Sequence, residues 1–136
     1  ERVTADALAW EPEAPFDAIL LDAPCSATGT IRRHPDLPHV KDAKGLKALF
    51  ELQAALIARA KGWLKPGGRM LYCTCSLLPE EGEMQVEGLE GLSPQPLEAE
   101  WIEPEWRSGN GLRLRPDFWE ERGGMDGFFM ALLHRD

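Results

Sequence analysis

No apolar run in this chain approaches the roughly 20 residues needed to span a bilayer, which argues against a helical membrane protein. The amino end, Glu1-Arg2-Val3-Thr4-Ala5-Asp6, has no apolar segment, so no secretory leader is expected in it. It also lacks a starting methionine, and a piece of something longer is the expectation. Cysteine is scarce and odd in number, three in 136 residues, and no CxxC pair exists. That argues against a disulfide framework and for free thiols in a reducing cytoplasm. Cys73-Thr74-Cys75 is poorly spaced for zinc, and His34, His39 and His134 are not at ligand spacing around it, so no metal is expected. Positive charge is in deficit. The net charge of −8 argues against unaided nucleic-acid binding. No glycine-rich loop follows a strand and opens a helix, so a nucleotide or cofactor loop of that kind is absent from these residues.

What is present is unevenly distributed. Residues 28–65 hold eight bases against three acids, whereas residues 79–106 hold nine glutamates and no base. The basic stretch reads either as a solvated face or as a surface for an anionic substrate. At 136 residues one domain is expected. Phe16-Asp17-Ala18-Ile19-Leu20-Leu21-Asp22 reads as a strand buried on both faces. Residues 24–44 read as loop. Leu46, Leu49, Phe50, Gln53, Leu56, Ile57, Ala60, Trp63 and Leu64 follow helical spacing, ended by Pro66-Gly67-Gly68. Arg69 to Thr74 is the next strand, and the strand–helix–strand order predicts a parallel pair. Pro79-Glu80-Glu81 opens a helix expected to reach about Leu89. Residues 93–111 read as irregular, 112–115 as a short strand and 127–133 as a final buried strand, with Phe128 and Phe129 as core.

Two cysteines stand out from this frame. Cys25, in Asp22-Ala23-Pro24-Cys25-Ser26, and Cys75, in Tyr72-Cys73-Thr74-Cys75-Ser76, each lie where a strand meets a loop. If the strands are parallel neighbours, both thiols face one crevice at the carboxyl edge of the sheet, beside Asp22. Cys73, alternating along its strand, reads as a core residue. A thiol pair next to a carboxylate points to covalent chemistry.

The residues around those cysteines resemble a known family. Asp22 through Asp36, DAPCSATGTIRRHPD, looks like the fourth motif of the RsmB/NOL1/NOP2/Sun RNA (cytosine-5) methyltransferases. Tyr72 through Glu81, YCTCSLLPEE, resembles their sixth motif, and Asp126-Gly127-Phe128-Phe129-Met130-Ala131 is similar to their closing motif. Gln53 and the Lys65-Pro66-Gly67-Gly68 turn also fit. The resemblance covers nearly the whole chain and points to the bacterial branch that modifies 16S ribosomal RNA.

The resemblance implies an α/β chain with part of a class I, Rossmann-like methyltransferase fold. The sheet would be mostly parallel with an antiparallel carboxyl-terminal strand. The chain would be the carboxyl-terminal part of one catalytic domain, supplying strands 4 to 7, with strand 4 an exposed edge. It implies methylation of carbon 5 of cytosine by S-adenosyl-L-methionine. Cys75 would be the nucleophile, Asp22 would hold the cytosine edge, and Cys25 would assist proton removal and enzyme release. Asp6, Asp22 and Pro24 would border the cofactor, and Arg32 and Arg33 would meet RNA phosphates. Asp6 as a plain turn residue and the two arginines as solvated surface are the competing readings. The glycine-rich cofactor loop and any RNA-binding domain would lie before residue 1, so these residues alone are expected to be inactive. A homodimer through the exposed edge is a further expectation. A non-catalytic module that keeps the fold, or a thiol redox protein, are the alternatives; the Asp22, Cys25 and Cys75 set favours the enzyme.

Overall fold

A computed structural model describes residues 2–40 and 43–136. Lys41 and Asp42, counted above in the basic stretch and at the end of the 24–44 loop, lie outside the described residues, as does Glu1. Strand β1 (Phe16–Asp22) leads through a 3-10 turn at Thr28–Thr30 and one helical turn, α1 (Leu37–Val40), to the long helix α2 (Ala43–Trp63). Strand β2 (Leu64–Thr74) follows directly. A 3-10 turn at Pro79–Glu81 and the short helix α3 (Glu83–Val86) come next. Strands β3 (Leu92–Gln95), β4 (Arg107–Ser108), β5 (Gly111–Leu114) and β6 (Phe128–Arg135) complete the order.

The sheet runs β1-β2-β6-β5-β4, with β3 sharing the outer edge of β6 beside β5. β1 and β2 are parallel, as the strand–helix–strand order predicts, with Asp22 opposite Cys73. Every other pairing is antiparallel. The sheet is therefore mixed, and its parallel character is confined to β1–β2. The expected mostly parallel sheet is corrected on this point: β6 runs against β2, and the short strands β3 and β5 run against β6. In the strand numbering that the resemblance implies, β1, β2 and β6 would be strands 4, 5 and 7, with β3 and β5 sharing the place of strand 6.

The core lies between the sheet and the inner face of α2. Gln53, Leu56, Ile57 and Ala60 are buried on that face, at the helical spacing of the sequence. Met70, Tyr72, Phe129, Ala131 and Leu133 meet them from β2 and β6. Four sequence expectations need correction. β1 is not buried on both faces: it is an edge strand, and Leu20 is 69% exposed. The helix expected from Pro79 to Leu89 is one 3-10 turn and one α turn: Gly82, at φ −127° and ψ −100°, separates them, and Glu87, in an extended conformation, ends the second. β2 begins at Leu64 rather than Arg69, with a register shift where Pro66-Gly67-Gly68 turns. Residues 93–111 are not irregular throughout, since they hold most of β3 and all of β4. Pro94 is tolerated in β3 because that strand pairs on one side only, where a missing N–H breaks no ladder.

Candidate active site

The carboxyl ends of β1 and β2 deliver the two loops of the site. Main-chain pairing continues one step past β1, with Ala23 N–H donating to Cys73 O at 3.0 Å. Beyond it the chains diverge and are held by the loops themselves. Gly29 N–H donates to Cys75 O at 3.0 Å, and Gly127 N–H donates to Gly29 O at 2.7 Å. Gly29 can approach so closely only without a side chain, since a Cβ there would lie 2.0 Å from Gly127 O. Ala27 adopts the left-handed conformation, φ 59°, a strained choice for alanine. Its N–H points at the Cys25 sulfur.

The result is a direct contact of the two thiols, Cys25 Sγ lying 3.4 Å from Cys75 Sγ. Both are half-buried and unoxidised. Their strand-to-loop placement predicts that both face one crevice beside Asp22; the two sulfurs do meet at the ends of β1 and β2, while the Asp22 carboxylate lies against Cys73. Burial pushes the Cys25 thiol up to about 12. Its bond to the Cys75 sulfur, the charge there and the charge of Glu81 act in the same direction, against the Ala27 N–H. Cys25 is thus held neutral and can donate S–H to Cys75 Sγ.

Asp22 is exposed at the end of β1, and its carboxylate meets the side chain of Cys73, whose Sγ lies 3.8 Å from Oδ1. Cys73 is buried, as expected of a core residue, and its sulfur also points to Leu21 O at 3.6 Å. Burial first, then the Asp22 charge, push it up to about 11. Pro24 is exposed, and its carbonyl accepts a bond from Gln53 Nε2 at 2.9 Å. Asp6 is engaged locally. Its Oδ1 accepts Leu8 N–H at 2.9 Å, and its carbonyl accepts Ala9 and Trp10 N–H, the geometry of a turn. Arg32 is exposed. Arg33 is exposed too, but forms an ion pair with Asp126 at 2.6 Å, tying the loop after Cys25 to the segment before β6. A cavity of about 730 Å³ lies between residues 3–15, Phe16 and Trp63. Phe16 opens β1 and Trp63 precedes β2, so that cavity borders the amino ends of these strands and includes none of the thiols.

Glu81 is the residue that sequence reasoning missed. It reads there as one of nine glutamates in an acidic stretch, yet it is fully buried. Its Oε1 accepts Ser26 N–H at 2.9 Å and Gln53 Nε2 at 3.0 Å, and its Oε2 accepts the Ser26 hydroxyl at 2.5 Å. The Ser26 oxygen lies 3.2 Å from both Thr28 Oγ1 and Ser76 Oγ, so hydroxyls from the two cysteine loops form one cluster. Arg113 braces the second loop, donating to Ser76 O at 2.5 Å and pairing with Glu83. Nothing local in the sequence marks Glu81 as buried; in the structure the turn packs closely at Gly82, where a Cβ would lie 2.8 Å from the Phe129 ring.

The chain is similar to known proteins over most of its length. Residues 3–134 match the model of the family described as 16S rRNA methyltransferase RsmB/F. Ribosomal RNA small subunit methyltransferase B of Xanthomonas campestris pv. campestris is 44% identical over 133 residues, which are 95% of this chain and 29% of that protein. The protein of the same name from Shewanella oneidensis is 39% identical, over 91% of this chain and 28% of its own length. The chain thus spans under a third of these relatives. Among solved structures, NSun6 from Pyrococcus horikoshii, determined with SFG, superposes with a TM-score of 0.79 at 31% identity, covering 98% of this chain and 34% of that one. A methyltransferase homologue from the same organism gives 0.67 at 32% identity, over 90% of this chain and 40% of that one. With the thiol pair at the carboxyl edge of a Rossmann-like sheet and the family model matched from residue 3 to residue 134, the chain belongs to the RsmB/F family of 16S rRNA methyltransferases.

Proposed function

We propose that this chain is the carboxyl-terminal part of the catalytic domain of an enzyme that methylates carbon 5 of cytosine in 16S ribosomal RNA. The supporting observation is the 3.4 Å contact of two inequivalent sulfurs at the ends of parallel neighbours. Carbon 5 of cytosine is a poor nucleophile. Addition of the Cys75 thiolate to carbon 6 forms an S–C bond and makes carbon 5 enamine-like. Cys25, held neutral, donates its S–H toward Cys75 and stabilises that thiolate. Asp22, exposed at the end of β1, meets the pyrimidine edge. After transfer the carbon 5 proton passes to water, its electron pair restores the carbon 5–carbon 6 double bond, and Cys75 leaves as a thiolate that the Cys25 S–H stabilises.

S-adenosylmethionine supplies the methyl group when bound. The residues present fit it in part. Asp22 and Pro24 are exposed at the carboxyl edge, where open α/β sheets bind ligands, and the outer side of β1 is unpaired. Asp6, whose Oδ1 accepts Leu8 N–H, would meet its adenine. SFG, the molecule in the NSun6 structure, is an analogue of S-adenosylmethionine, in keeping with this assignment. Arg32 would contact RNA phosphate, with Arg33 free to exchange Asp126 for one. No helix among the described residues is long and apolar enough to cross a membrane, and we place the enzyme in the cytoplasm with its ribosomal substrate.

The test is methyl transfer by the full-length enzyme to unmodified 16S RNA, with the product nucleoside identified by mass. Formation of 5-methylcytidine at one position is expected. Methylation of another base, or of ribose, would contradict the reading.

A further inference from the structure

We propose that Glu81 is the positioning residue that holds Cys25 and Cys75 in contact, acting through Ser26. The proposal rests on the reading of these cysteines as the reacting pair and adds the group that sets their geometry. Strand pairing ends at Ala23, so it cannot fix Cys25, two residues further on. Glu81 lies six residues after Cys75 and reaches back across 55 residues to the one that follows Cys25. It grips Ser26 at both the main-chain N–H and the hydroxyl, which fixes the Cys25–Ser26 peptide. The main chain of Glu81 is itself anchored on β2: its carbonyl accepts the Tyr72 hydroxyl at 2.9 Å and the Thr74 hydroxyl at 3.0 Å. Gln53 adds a third attachment, from α2. One buried side chain therefore joins β2, the helix and the Cys25 loop.

The choice of a carboxylate follows from the donors. Ser26 N–H, Ser26 O–H and the Gln53 amide converge on it, and an ionised carboxylate is an acceptor at both oxygens. Among the described residues no ion pair neutralises Glu81. A buried, unpaired carboxylate costs stability, and a well-packed apolar residue would cost less, so packing alone does not account for it. Glutamine can keep the geometry. Its amide oxygen would accept Ser26 N–H and Gln53, and its amide nitrogen would donate to Ser26 Oγ. The Ser26 hydroxyl would then donate onward to Ser76 or Thr28, each already 3.2 Å away. Alanine leaves the Ser26 N–H without this acceptor and removes one of two available to the Gln53 amide, which keeps Pro24 O, while the Ser26 hydroxyl turns to Ser76 or Thr28 and no longer holds the loop to Glu81.

The test uses phenylarsine oxide on the full-length enzyme, with peptide mass spectrometry to locate the product. The arsenical condenses with two thiols, forming two As–S bonds and releasing water, and it bridges only sulfurs that can approach each other. Wild type should give a Cys25–As–Cys75 bridge. Glu81→Ala should bind the arsenical at that pair about tenfold more weakly. Its kcat should fall on the order of 100-fold with KM for S-adenosylmethionine unchanged. Glu81→Gln should restore both. Ser26→Ala, which keeps the main-chain N–H, should weaken the bridge less than Glu81→Ala and decides the matter if that variant does not fold. Wild-type bridging in Glu81→Ala or in Ser26→Ala, or no rescue by Glu81→Gln, would overturn the proposal. Bridging as expected in an enzyme that methylates no cytosine would support the positioning role and contradict the proposed function instead, since the arsenical needs neither RNA nor cofactor.

Discussion

Two sulfurs in contact are chemically unequal when their surroundings differ. Cys25 is the one held neutral. With its value pushed up to about 12, its thiolate fraction at pH 8 is on the order of one in ten thousand. Iodoacetamide, which reacts with thiolate, should therefore leave Cys25 unlabelled at pH 8 and modify it only as pH approaches 12. Peptide mapping after timed labelling reads this directly; labelling of Cys25 ahead of Cys75 at pH 8 would contradict the division of roles. Both thiols were legible in the sequence because each follows a strand-like run, and strand ends fix where a loop begins. Cys73 was legible from strand alternation. Glu81 was not, because its partners Ser26 and Gln53 are set by tertiary approach, and a glutamate among glutamates carries no local mark of burial. Arg33 read as a phosphate contact, and its pairing with Asp126 likewise depends on an approach across 93 residues.

At the scale of elements, strong periodicity was readable and short pieces were not. α2 declared itself through eight apolar or packed positions, Leu46 to Trp63, whereas α3 is cut to one turn by backbone breaks at Gly82 and Glu87 that no periodicity reveals. β1 reads as two-faced because its composition suits a central strand, while the described residues leave its outer side unpaired. β3 and β4 escape notice because a four-residue and a two-residue strand, one with proline, are stabilised by β6 and β5 and not by their own propensity. The bracing of the second cysteine loop depends on one ion pair of this kind. Burial opposes ionisation of Glu83, but bonds from Arg113 and Ser108 outweigh it and hold its carboxyl below the ordinary 4.5. The stabilisation is therefore present above pH 4.5 and lost as pH falls through the lowered value. Glu83→Gln should cost about 2 kcal/mol at pH 7 and show a shallower loss of stability below pH 4.5 than wild type, measured by denaturant melts across pH. An unchanged acid profile would remove Glu83 from this role.

For the whole molecule, the proposed reading makes this chain one end of a larger sheet. Its β1 edge exposes Leu20 and unpaired main-chain groups, a surface that seeks another strand. The 136 residues alone should bind no S-adenosylmethionine at micromolar ligand by calorimetry, because the part of the sheet that would carry the anchoring loop is not among them. Light scattering at high concentration should report association through that edge. Micromolar cofactor binding by a monodisperse monomer would contradict both expectations. The family was legible from the paired cysteine motifs, which lie at the ends of two parallel strands. The central claim is that Cys75 forms the covalent bond and Cys25 serves its release. The most direct measurement is capture of RNA by full-length enzyme on denaturing gels. Cys25→Ala should accumulate a denaturation-resistant protein–RNA adduct, because addition proceeds and collapse is blocked, and Cys75→Ala should give neither adduct nor methylation. An adduct that persists in Cys75→Ala would contradict the account.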